Sequence, residues 1–234
     1  MKTQRAGTHL EELTKVLGEF EKNPYDIKQR DHSKKQRHIV SLEFRAIPYE
    51  IGMLAGEFAY SLRSGLDQLA WQLALIKTRP KQPRSHTSFP VWSISPPKGF
   101  GNATRDILPA AISVIESLQP YKSGTARTRH PLYMLNELCI IDKHMIMPVR
   151  ASDGKFHIGG AVPLRRRETS YGFELEYDLR DKFKIDLSTV KTEIIFGQPV
   201  GSPGNKIDMR LADFKAIYEF VRTDVIPKFL PFFK

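Results

Sequence analysis

From Tyr49 to Lys77 the chain contains no proline, and this uninterrupted segment constrains the fold more than any other. Ile51, Leu54, Phe58, Leu62, Leu66, Leu69, Leu73 and Ile76 recur within it at the spacing of one helical face. A second stripe lies about a quarter turn away. It comprises Gly56, Ala59, Arg63, Ala70 and Ala74, flanked by Tyr60 and Asp67. Small residues let another backbone come close, so the pattern predicts a central helix packed on two sides. Arg63 and Asp67 stand one turn apart on that packing surface, where a charge is costly unless it is paired or faces a cleft.

The flanking segments supply partners for such a helix. Residues 5–22 carry Leu10, Leu13, Val16, Leu17 and Phe20 at helical spacing, and Asn23-Pro24 ends that helix. After a polar, basic connector, residues 37–47 alternate Val40, Leu42, Phe44 and Ala46 against Ile39, Ser41, Glu43 and Arg45, the period of a half-buried strand; Pro48 closes it. Residues 78–104, rich in proline, glycine and serine, predict a long loop with a short extended piece at 88–92. Loops of that length are often functional. A helix over 106–118 follows, capped by Thr104, and another over 131–145 starts with Pro131 at a favoured first-turn position. Beyond it, residues 147–152, 155–164, 171–179 and 190–197 read as four short strands, with turns at Ser152-Asp153-Gly154, around Arg165, Arg166 and Arg167, and over 182–188. A helix over 209–225 and an apolar FLPFFK tail close the chain. The expected class is α+β: an N-terminal helical half with one strand, then an antiparallel four-stranded meander and a C-terminal helix. A single domain over 1–234 is expected, with Pro148 as its internal boundary between a mainly helical 1–147 and a sheet plus C-terminal helix in 148–234.

Hydrophobic residues make up 41% of the chain, enough for a substantial core. No run of about 18 apolar residues appears, which excludes a membrane span. The charged, helix-like start excludes a secretory signal and points to a cytoplasmic protein. The single cysteine, Cys139, precludes an intramolecular disulfide and falls in an apolar helical pattern, as a small buried hydrophobe does. A net charge of +10 favours polyanions, nucleic acid above all. The excess lies in 28–38, 122–129 and the arginines at 165–167, which form a nucleic-acid surface if the fold aligns them; otherwise they are solvated faces. FLPFFK needs a surface of the chain, a protein partner or a second copy to cover it. There is no glycine-rich phosphate loop, no GxGxxG, no GxSxG and no cysteine pair for zinc, so no cofactor or metal is expected.

Glu137, Ile141 and His144 share one face of the 131–145 helix, with Asp142 and Lys143 near its carboxyl end. If that helix packs on the small-residue side of 49–77, Arg63 and Asp67 meet Glu137, Asp142, Lys143 or His144. These six are the candidate site residues, under two readings. In one they are mutually satisfied ion pairs that fix helix docking, since removing one partner leaves the other uncompensated. In the other, His144 transfers protons and Arg63 stabilises an anionic transition state, roles suited to phosphodiester cleavage.

The stretch EFAYSLRSGLDQLAWQLA, followed by SFPVW, ILPAAISVIESLQPY and LNELCIIDKH, resembles a widespread group of uncharacterised bacterial proteins. Those carry "hNLRSALDHLhhxL", "FPh", "LQPY" and "L…NxxDKH" in the same order. The likeness covers about residues 50–150 and implies a shared fold there. The group's RSALDH also resembles the Arg-x4-6-His pattern of HEPN-type ribonucleases, helical proteins in which a paired Arg and His cut RNA without metal. Here the histidine position is Gln68, which cannot act as general acid or base. The likeness therefore implies a degenerate member, or one that uses His144. Two functions are expected: a non-enzymatic binding or regulatory module with a basic, nucleic-acid-binding surface, and a HEPN-like metal-independent ribonuclease or its relic, using Arg63 and His144.

Overall fold

The computed structural model describes residues 2–94, 99–144, 147–152, 163–169, 172–180, 193–197 and 207–233; the side chains of His144, Ser152 and Glu168 lie outside that description. Helices α1 (Lys2–Glu21), α2 (Tyr49–Thr78), α3 (Gly99–Thr104), α4 (Pro109–Ser117), α5 (Pro131–His144), α6 (Leu211–Glu219) and α7 (Ile226–Phe229) combine with six strands. The strands are β1 (Tyr25–His32), β2 (Arg37–Phe44), β3 (Val149–Ser152), β4 (Arg165–Thr169), β5 (Gly172–Asp178) and β6 (Glu193–Phe196). The class is α+β. Two compact units form, each from non-consecutive segments: Met1–Thr14, Gly52–Pro148 and Phe196–Lys234 make the first, Lys15–Ile51 and Val149–Ile195 the second. The chain changes unit after Pro148, but also after Thr14, Ile51 and Ile195, so the units are not its two halves.

In the first unit α2 is buried along both stripes. Phe58, Leu62 and Leu73 on one, and Ala59, Ala70 and Ala74 on the other, are wholly inaccessible. Each large side chain buried this way contributes about 1.5–3 kcal/mol. Phe214 of α6 packs its ring 5.4 Å from Phe58 and 4.7 Å from Phe196. Pro109 and Pro131 open α4 and α5, where a missing N–H costs no helical hydrogen bond. The helix expected over 106–118 is shorter, and Thr104 does not cap it. Its hydroxyl donates to Phe100 O at 2.8 Å, closing α3 inside the stretch expected to be loop. A π-helical stretch, Phe220–Val225, joins α6 to α7. Part of the FLPFFK tail finds its cover within the chain: Phe229 is wholly buried, edge-on to Phe89 at 6.1 Å, while Leu230 and Phe233 stay exposed.

The second unit holds an antiparallel sheet in the order β1-β2-β5-β4, and a separate pair, β3-β6. The expected four-stranded antiparallel sheet is thus present, but its first two strands come from before α2. Two local expectations are corrected. The polar connector after Pro24 is strand β1 followed by a 3-10 turn at Ser33–Lys35, and the arginines at 165–167 lie in strand β4, not in a turn. The register sets Ile27 against Leu42, Leu42 against Phe173 and Val40 against Leu175, which gathers these side chains with Tyr177 on one apolar face. The other face carries rows of alternating charge. Arg167 faces Glu174 across the strands, and Arg165 faces Glu176. Gly172 opens β5 beside β2, where a Cβ would collide with the Leu42 carbonyl. Of the strand expected over 155–164, residues 155–162 lie outside the described residues. Among the described residues no helix is long and apolar enough to cross a membrane.

Candidate functional site

The charges on α2 hold a backbone. Arg63 Nη2 donates to the Phe89 carbonyl at 2.6 Å and to Asp67 Oδ1 at 3.0 Å, and the same carboxylate oxygen accepts the Phe89 N–H at 3.0 Å. One arginine and one aspartate at i, i+4 therefore satisfy both polar groups of a single peptide residue, whose ring is wholly buried. The next residues are held in the same way from the other side. The buried Gln119 donates to Pro90 O at 2.9 Å and accepts the Trp92 N–H at 3.0 Å, and Tyr121 N–H donates to Trp92 O at 3.2 Å. The segment 89–92 is thus a strap whose hydrogen bonds come, among the described residues, from side chains of α2 and of residue 119 and from the Tyr121 N–H. RSGLD, FPVW and LQPY are the two sides and the middle of one structural device.

A partly open cavity of about 370 Å³ lies beside this strap. One face of α2 forms its floor: Tyr60, Arg63, Ser64, Asp67, Gln68 and Trp71 at successive helical turns. Cys139, Asp142 and Lys143 of α5 form a wall, with Thr87 opposite in the loop. The two helices meet closely because the small stripe permits it. Cys139 Sγ donates to Ala59 O at 3.4 Å, and the Asp142 carboxylate lies directly over Gly56, where a Cβ would collide with Oδ1. Four of the six candidate residues, Arg63, Asp67, Asp142 and Lys143, share this cavity. Glu137 does not line it. Five residues before Asp142, it is about 140° round the helix, and its charge bears on Tyr133 instead. His144 ends α5, and its side chain lies outside the described residues.

The electrostatics separate packing groups from groups that face the cavity. Burial pushes the Cys139 thiol up to about 12, so this cysteine packs and does not react. Burial against α2, and then the charge of Glu57, raise the Asp142 carboxyl above its ordinary value. Among the described residues Asp142 and Lys143 make no ion pair with each other or with Arg63. Arg63 Nη1 is buried without an acceptor, although the other guanidinium arm is fully engaged. At the opposite end of α5, His130 Nδ1 accepts the Leu132 N–H at 3.2 Å and its ring stands edge-on to Phe220. Burial lowers its pKa. Among the described residues no cluster of His, Cys, Asp and Glu could hold a metal ion.

The basic runs are answered in part by acids, rings and carbonyls. Lys28 pairs with Glu43 at 2.7 Å and Arg30 with Glu174 at 2.9 Å, His38 bonds Asp31, and Arg166 lies over the Phe173 ring at 4.6 Å. Residues 122–129 are exposed throughout; there Lys122 pairs with Glu116 at 3.3 Å, and Arg129 donates to Asp208 O at 3.3 Å. Compared with family models, with curated proteins and with solved structures, the chain matches none. Tyr60, Gln68, Trp71 and Cys139 join the site through the same i, i+3/i+4 spacing that places Arg63 and Asp67. That spacing is the signal that could have found them.

Proposed function

We propose that the chain is a non-enzymatic binding or regulatory module organised around the α2–α5 cavity. The observation that carries this reading is the engagement of Arg63. A cation that stabilises a phosphoryl transition state must be free to meet it, whereas Arg63 Nη2 is held at 2.6 Å by a backbone carbonyl and at 3.0 Å by Asp67. Removing either side chain would loosen the strap before it touched any chemistry. The exposed stretch 122–129, with Lys122, Arg127 and Arg129, adds a basic surface that attracts a polyanion such as nucleic acid.

Incubation of the full chain with mixed RNA, beside His144→Ala, separates this reading from a ribonuclease. The expected result is no cleavage above buffer by either protein, with RNA retained weakly at low salt and released as salt rises. Cleavage by the parent chain that His144→Ala abolishes would overturn the proposal in favour of a HEPN-like enzyme.

A further inference from the structure

A second cavity, open and of about 500 Å³, lies where the chain leaves the strap. Ser93 and Ile94, the residues after Trp92, contribute to its lining, as do Tyr121, Thr125, Arg127 and Thr128. Gly124, at φ 57 and ψ −124, kinks the 3-10 stretch Pro120–Arg129 between Tyr121 and the other three. Every polar side chain of this lining can donate a hydrogen bond, and among the described residues no carboxylate joins it. Residues 117–136 contain Lys122, Arg127 and Arg129 and no aspartate or glutamate. The acid just before them, Glu116, is already taken: Tyr121 Oη donates to it at 3.1 Å and Lys122 pairs with it at 3.3 Å. Arg129 donates to the Asp208 carbonyl at 3.3 Å. Arg127 differs from both. Its guanidinium and the hydroxyls of Ser93, Thr125 and Thr128 line the cavity with no hydrogen-bond or ion-pair partner among the described residues.

These donors select both the charge and the shape of a ligand. A cation would meet Arg127 and also Lys122, whose ammonium lies over the Tyr121 ring at 5.3 Å. A carboxylate offers only two oxygens to one guanidinium and three hydroxyls. A phosphate monoester offers three terminal oxygens in a tetrahedral array and a charge of about −1.5 to −2 at pH 7, and a guanidinium fork matches two of those oxygens at once. The volume falls within the roughly 300–1,000 Å³ usual for pockets that take organic ligands, which leaves room beyond the phosphate itself. Ile94 and the Tyr121 ring give that remainder an apolar surface, and an aromatic ring beside basic groups is how single-stranded bases are commonly held. We propose that this cavity binds the phosphate monoester of a nucleotide, its oxygens accepting from Arg127 and from the hydroxyls of Ser93, Thr125 and Thr128, and its base resting on Tyr121 and Ile94. The monoester is either that of a free nucleotide or the phosphorylated end of a strand. This rests on the reading of residues 122–129 as the nucleic-acid-attracting surface of a binding module, and names the group that surface takes.

The test is titration of the full chain at fixed ionic strength with matched pairs: each common ribonucleoside monophosphate against its nucleoside, and a single-stranded RNA decamer with a terminal phosphate against the same strand ending in a hydroxyl. The phosphorylated member of at least one pair should bind tighter by about tenfold or more. A preference among the nucleosides alone assigns the site to free nucleotides, and one shown by the decamer assigns it to strand ends. Arg127→Ala should erase that preference. Arg129→Ala removes the same charge from the same segment but outside the cavity lining, and should weaken binding by no more than about threefold. Thr128→Val alters no charge, yet should weaken the phosphorylated ligand by about threefold. Arg127 and Thr128 are exposed, so the melting temperature of each variant should stay close to that of the parent. No preference in any pair, equal losses from Arg127→Ala and Arg129→Ala, or tighter binding of a phosphoserine peptide would overturn the inference. Those outcomes leave the binding-module reading standing, whereas RNA cleavage dependent on His144 would remove that reading itself.

Discussion

On the outer face of the four-stranded sheet Lys28 meets Glu43 at 2.7 Å and Arg30 meets Glu174 at 2.9 Å, with Arg165 and Arg167 set opposite Glu176 and Glu174. Along the α2–α5 cavity the residue types are the same but the arrangement differs. Arg63 and Asp67 spend their hydrogen bonds on the backbone of Phe89, while Asp142 and Lys143 line the cavity without an ion-pair partner among the described residues. On the sheet Lys28, Arg30, Arg165 and Arg167 are exposed, and their carboxylate neighbours Glu43, Glu174 and Glu176 are half-buried. These charges keep edge strands β1 and β4 from pairing with other chains, a role any well-distributed set of charges fills. Arg63 and Asp67 are fixed by their bonds to the strap and Asp142 by its seat over Gly56, and position is what recognition requires.

This contrast makes graded predictions. Phe89→Ala should have the largest effect, removing a wholly buried ring and its contact with Phe229, and should cost about 3–5 kcal/mol in urea unfolding. His130→Ala should cost about 1 kcal/mol at neutral pH, because it removes a cap from the first turn of α5. Its pH dependence sharpens the point. Burial lowers the folded pKa of His130, so the cap's contribution is whole above the unfolded value of about 6.5 and is lost as pH falls through the folded one. The penalty for His130→Ala should therefore shrink toward pH 5 in matched melts.

Asp142→Asn should act in the opposite direction. Its folded pKa is raised, so ionisation opposes folding once pH exceeds the unfolded value, and the neutral amide should stabilise by less than about 1 kcal/mol at pH 7. That gain should vanish below the ordinary carboxylate range. On the sheet face, Arg30→Ala should move stability by only about 0–1 kcal/mol, less at high salt, in the same unfolding assay. A cost near that of the strap substitutions would break the comparison.

What could be read from sequence follows the burial of each element. α2, α5, β2 and β5 were legible because each keeps a regular pattern of buried and exposed positions and so carries a period. β1 and β4 were missed, and they are the two edges of the sheet. YDIKQRDH buries only Tyr25 fully, so edge exposure erases the alternation that would announce a strand. Periodicity set Arg63 and Asp67 on a packing surface, yet their partner was unreadable. The Phe89 peptide groups have no side-chain signature, and nothing in the sequence ties Gln119 to the backbone of residues 90 and 92. Glu137 was set on a face with Ile141 and His144, and Asp142, about 140° away on the same helix, lines the cavity without it.

The most direct measurement of the central claim, that Arg63 and Asp67 act together as a structural clamp on Phe89, is a double-mutant cycle in urea unfolding with Arg63→Ala, Asp67→Ala and the pair. A shared clamp predicts a coupling of about 1–3 kcal/mol between the two substitutions, since either alone already releases the strap. Effects that add to within about 0.5 kcal/mol would contradict it, and would return both residues to the roles of independent surface charges.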